Sequence, residues 1–132
     1  MIRSTVLLVC LLFAVGLQAQ DAVKDQVVQA MKTGNPKELV AHFIPNIDLT
    51  VKEVSDVYSR AQAEQILRKF FNENAPVDLV IEHKGESKIG DKYFIGILRT
   101  RTGYFRVTIF LKKTEATYQV KQLRIENSKN DF

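Results

Sequence analysis

Apolar residues recur with a helical period early in the chain and with a two-residue period late, and that change of period divides the fold. From Asp21 to Thr33, Val23, Val27, Ala30 and Met31 share one side while Lys24, Asp25, Gln29 and Lys32 take the other, which predicts an amphipathic helix. Gly34 is placed to end it in a left-handed cap. Asn35-Pro36 with Glu38 then starts a second helix, with a cap, a proline in the first turn and a capping-box acid. Leu39, Val40 and Phe43 form its apolar stripe. Pro45-Asn46 breaks that pattern, and Ile47, Leu49 and Val51 alternate with Asp48 and Thr50 as a short strand, with a partner from Val54 to Tyr58. Ser59 and Gln62 form a capping box for a third, long helix. Ala63, Ile66, Leu67, Phe70 and Phe71 are its buried face, and Asn74-Ala75-Pro76 ends it.

From Val77 to Asn127 the pattern gives four strands, with turns at Gly90-Asp91, at Thr102-Gly103 and around Thr114 to Ala116. Two helices, short strands, one long helix and a curved four-stranded antiparallel sheet wrapped on the helices make an α+β fold.

Counting outward from the turns sets the faces. With Thr102-Gly103 as a two-residue turn, Arg101 pairs with Tyr104, and Phe94, Gly96, Leu98 and Thr100 join Phe105, Val107, Ile109 and Leu111 on the core side. Counting from Gly90-Asp91 places His83 opposite Leu98, so that Leu79, Ile81 and His83 also face the core. The other face carries Tyr93, Ile95, Ile97, Thr108 and Phe110, with Glu82, Arg99, Arg101, Tyr104 and Arg106 toward one end. Glu82 is expected beside Arg99 and near Arg106 as a cross-strand charge cluster. Tyr93, Ile95, Ile97, Phe110, Arg99 and Arg106 are therefore candidates for a partner surface, against the plainer reading of tolerated exposure or cover by a tail. In the last strand Tyr118 and Val120 share one parity and Leu123 and Ile125 the other, which calls for a bulge near Lys121-Gln122.

The core-side positions of the best-registered strands hold no Asp or Glu, which weighs against proton-transfer catalysis by paired carboxylates. Tyr58, His83, Thr100 and Tyr118 are the polar residues that can look inward, with His42 on the flank of the second helix; they are the candidates for lining a pocket. His83 as a general base competes with a buried, hydrogen-bonded histidine. Two histidines far apart, no matching acidic spacing, no phosphate loop and no nucleophile elbow leave no expected metal or cofactor.

The N-terminus changes the picture of where the protein acts. Arg3, an apolar run from Val6 to Leu17, and Ala19 before Gln20 read as a secretory signal over residues 1–19, leaving 20–132 as a single domain. The run is shorter than the roughly 17 to 25 residues that span a bilayer. Cys10 follows Val9 rather than a small residue, so lipidation is not expected. As the only cysteine, it leaves the exported chain without disulfides or thiolate chemistry. The formal net charge of +4 loses Arg3 on cleavage, and the cations are interspersed with acids, which describes a mixed surface rather than a nucleic-acid site.

The segments Asp56-Val-Tyr-Ser-Arg-Ala-Gln-Ala-Glu and Tyr93-Phe-Ile-Gly-Ile-Leu, in this element order, resemble an uncharacterised family of exported Bacteroidota proteins. That family lies in the nuclear-transport-factor-two-like, or cystatin-like, cone superfamily. The resemblance covers the whole mature chain and implies a curved sheet around helices, with no catalytic residues to transfer. Gln26-Val27-Val28-Gln29-Ala30 superficially matches the Gln-Val-Val-x-Gly hairpin of cystatin protease inhibitors, but it sits in a helical pattern and lacks the glycine. Fold alone decides no function in such a superfamily. The expectation is a periplasmic or extracellular binding or assembly module, acting as a homodimer or on a protein partner through the outer sheet face, with room for a small ligand in the cone. The alternative is a small cofactor-free lyase or isomerase with a pocket at the mouth of the cone.

Overall fold

Two side chains and one glycine set the helix boundaries in the computed structural model, which describes residues 22–128. The expected signal segment lies outside them. Helix α1 (residues 22–33) ends at Gly34, whose φ of 62° admits the closing pair of hydrogen bonds from Gly34 N to Met31 O and from Asn35 N to Ala30 O. The cystatin-like pentapeptide lies within this helix. Asn35 caps α2 (Pro36–Ala41) by accepting from Glu38 N at 3.2 Å. At α3 (Arg60–Glu73) both halves of the capping box form: Gln62 N donates to Ser59 Oγ at 3.2 Å and Ser59 N to Gln62 Oε1 at 3.1 Å.

The strands are β1 (Phe43–Val51), β2 (Val54–Ser59), β3 (Pro76–Glu86), β4 (Lys92–Thr100), β5 (Tyr104–Lys113) and β6 (Tyr118–Asn127). They form one six-stranded sheet in the order β2-β1-β6-β5-β4-β3. The fold is α+β as expected, but the sheet is mixed and larger than the four antiparallel strands read from the pattern. The added strands join because β1 runs parallel to β6, with Leu49 opposite Leu123 and Val51 opposite Ile125. β1 also starts earlier than expected. Pro45-Asn46 falls inside it, where the register against β6 shifts between Phe43 and Asp48, so the missing N–H of Pro45 lies at an irregularity. Phe43 accordingly belongs to the strand rather than to the stripe of α2, and it is fully buried.

The hairpin registers differ from the count, with unequal consequences. Tyr104 pairs with Arg99 rather than Arg101, because Thr100 to Gly103 form the loop. Thr100 Oγ1 closes that loop by donating to Gly103 O at 2.8 Å, and Thr102 Oγ1 donates to Asn74 Oδ1 at 2.6 Å. The slip is even, so every side chain keeps its face, and Phe94, Leu98, Thr100, Phe105, Val107, Ile109 and Leu111 are all buried. Between β3 and β4, Leu79 faces Leu98 and Ile81 faces Gly96, again with parity kept. Beyond Ile81 the register shifts, and His83 pairs with Ile95. The extra residue, Glu82, turns His83 out of the core face onto the exposed one. In β6 the expected bulge is present: Gln122 pairs with Phe110 and Val120 with Leu111, leaving Lys121 as the extra residue.

All three helices bury their apolar stripes on one side of the sheet. Val27, Met31, Leu39, Leu67, Phe70 and Phe71 share a core with Leu98, Val107, Leu123 and Ile125. Ile95, Ile97 and Phe110 lie on the other side, outside that core.

Candidate functional site

The β3 bulge that expels His83 also decides what enters the core-side mouth of the sheet. Past Glu82, Lys84 pairs with Phe94 and Glu86 with Lys92, so these side chains fall on the core side, while Tyr93 lays its ring over the bare Cα of Gly85 on the other. Lys84, Glu86, Lys92 and Tyr118 gather with Lys24 of α1 around a half-open cavity of about 340 Å³ floored by Phe94 and Leu111. Its size is that of a small-ligand cleft. Lys24 Nζ lies 5.1 Å from the centroid of the Phe94 ring, and Lys92 Nζ lies 4.9 Å from that of Tyr118. Both ammonium groups thus lean across aromatic faces instead of extending into water. None of the three lysines, nor Glu86, makes an ion pair among the described residues.

Of the residues proposed from sequence to line a pocket, Tyr118 alone reaches this cavity. Tyr58 is half-buried against the core from the edge strand β2. Thr100 is buried at the Thr100–Gly103 loop and spends its hydroxyl there. His83 is exposed on the outer face. His42 lies with Asp25, Gln26, Gln29 and Glu38 along a shallow groove beside α1 and α2, where partial burial lowers its pKa against the opposing pull of Glu38. Lys92 was legible in the strand count, since it shares parity with Phe94. Lys84 and Glu86 were not, because only the bulge turns them inward.

On the outer face, Tyr93 and Phe110 place their rings 6.2 Å apart, and Ile95 and Ile97 are half-buried beside them. Val80 extends this stripe and is 56% exposed. Glu82 and Arg99 line a common hollow with Val80 and Ile97, yet the expected charge cluster does not close: neither they nor Arg106 enter an ion pair among the described residues. The bulge at Glu82 displaces it from the regular ladder position opposite β4.

Among the described residues no His, Cys, Asp and Glu cluster could hold a metal ion, and no helix is long and apolar enough to cross a membrane. None of the curated proteins compared with the chain matches it. A family model described as Domain of unknown function (DUF4783) matches residues 24–126. The chain belongs to the DUF4783 family. A solved DUF4783 protein from Bacteroides fragilis is 30% identical, with a TM-score of 0.73 over 78% of this chain and 96% of that one. Beyond the family, the fold is that of nuclear-transport-factor-two-like proteins. A design of that type with a long sheet is 20% identical, with a TM-score of 0.62 over 79% of this chain and 96% of that one. A Xanthomonas campestris protein described as a calcium/calmodulin dependent protein kinase II association domain is 19% identical, with a TM-score of 0.62 over 83% and 86%. In this DUF4783 domain the fold carries the lysine-lined cavity on one side of the sheet and, among the described residues, the apolar stripe on the other.

Proposed function

We propose that this DUF4783 protein is an exported, non-enzymatic assembly module whose outer sheet face pairs with a second copy of itself. The observation that carries this reading is the apolar stripe of Ile95, Ile97 and Phe110 on the side of the sheet away from all three helices. Burying such a stripe contributes about 25 cal/mol per Å² of apolar area, against which the loss of translational and rotational freedom must be set. Charge favours a second copy as the occupant. Glu82, Arg99 and Arg106 lie on the same face without ion-pair partners among the described residues, and a two-fold axis presents the acid of each copy to the cations of the other. The association domain of similar fold is consistent with an assembly role.

The alternative, a cofactor-free lyase or isomerase, needs an acid and a base facing each other in a site that excludes water. Glu86 is the cavity's carboxylate, and it is exposed, with neither His83 nor Tyr58 beside it. Sedimentation of the purified protein tests the assembly reading: a dimer is expected, and Ile95→Lys with Phe110→Glu should give a folded monomer. A wild-type monomer at high concentration, or a double variant that remains dimeric, overturns it.

A further inference from the structure

The cavity at the other side of the sheet has a chemistry of its own, independent of self-association. Three ammonium groups, from Lys24, Lys84 and Lys92, converge on it from α1, β3 and β4, against the single carboxylate of Glu86. Lys121 offers a contrast at the same end of the sheet, where it pairs with Asp91 at 3.0 Å. Here the acid that could soften the field nearby is already engaged: Asp91 also accepts from Lys113 N at 2.9 Å, and these bonds hold its carboxyl below the usual range. The neighbouring Lys88, Lys112 and Lys113 are exposed at the same end of the sheet and, against the single exposed acid Glu115 of the β5–β6 turn, reinforce the positive potential.

The walls add a second requirement. Phe94 and Leu111 floor the cavity at 5% and 1% exposed, and the half-buried Tyr118 ring forms a side, so the apolar surface left for a ligand to cover is chiefly that ring. The tilt of Lys24 over Phe94 and of Lys92 over Tyr118 keeps both cations at the rim of that apolar floor, where an anionic head and an apolar body can be met together.

We propose that this cavity binds a small organic dianion, a phosphate monoester or a dicarboxylate with an apolar or aromatic body, held by Lys24, Lys84 and Lys92 over the Phe94 and Leu111 floor. The excess of cations over Glu86 sets the charge of the ligand. Glu86 opposes a bare anion and selects for a ligand that also carries a hydroxyl or amino donor. Phenyl phosphate and phenylsuccinate are suitable probes, with benzyl alcohol as the uncharged control, and binding is read from the amide signals of Gly85, Lys92, Phe94 and Tyr118. Saturable binding of either dianion supports the proposal and names its anionic group. Lys84→Glu with Lys92→Glu should weaken it at least ten-fold, whereas the same charge change at the exposed Lys37 and Lys69 should leave it within two-fold. Glu86→Gln should tighten binding of both probes severalfold, an effect that a scaffold role for Glu86 does not produce. Equal binding of benzyl alcohol, an equal loss in the Lys37 and Lys69 variant, or no saturation by either dianion would overturn the assignment.

Discussion

His42 illustrates how a single side chain couples to the fold without belonging to a site. Partial burial beside α1 and α2 disfavours its charged form, and Glu38 only partly offsets this, so its folded pKa lies below the ordinary 6.5. The unfolded chain therefore binds more protons between that depressed value and 6.5. Stability from this group is present above 6.5 and is lost as pH falls through that window. Thermal melts from about pH 7.5 down to about pH 5 should show a decline that His42→Gln flattens. An identical pH dependence in the variant would show that other groups carry the effect. At this scale the sequence told which residues lie inward wherever apolar and polar positions alternate cleanly, as from Phe94 to Thr100. It misplaced His83 on the core face after Ile81, where Glu82, His83 and Lys84 are all polar and no parity marks the extra residue.

Elements bounded by local chemistry were legible for the same reason that they are stable on their own terms. The capping box at Ser59 and the glycine cap at Gly34 need only neighbours in sequence, and both form. The bulge in β6 was legible because Val120 and Leu123 cannot both be buried on a regular strand, and both are. The parallel pairing of β1 with β6 was not, since it joins segments more than seventy residues apart with the long helix and four strands between them. Helix α3 packs on the sheet through Phe70, which is 3% exposed and meets Phe105 of β5 edge-on at 5.0 Å and Phe71 at 5.6 Å. Phe70→Ala should cost roughly 3 to 5 kcal/mol in denaturant melts, the loss expected for an aromatic ring removed from a packed interior. A loss below about 1 kcal/mol would mean that the helix is anchored elsewhere on its face.

For the molecule as a whole, one sheet separates two surfaces of different character. The apolar stripe with Glu82, Arg99 and Arg106 faces away from the helices, and the lysine-lined cavity opens on the helix side at the far end of β3 and β4. The strands between them are shared. Phe110 precedes Leu111, and Tyr93 stands between Lys92 and Phe94, so a substitution on one face is at most a residue along the chain from the other. Alternation nonetheless sends neighbouring side chains to opposite faces, and the buried layer of Phe94, Leu98, Val107 and Ile109 fixes that alternation against slippage. Two sites arranged in this way should act independently. Their independence can be tested with the Ile95→Lys and Phe110→Glu variant, which adds no net charge and so leaves the field at the cavity unaltered at long range. It should bind phenyl phosphate as the parent does, and combined with Lys84→Glu and Lys92→Glu its effects on binding should add to within about 0.5 kcal/mol. A coupling above about 1 kcal/mol would instead mean that assembly and ligand binding communicate through the shared strands, and the two faces would have to be treated as one switch.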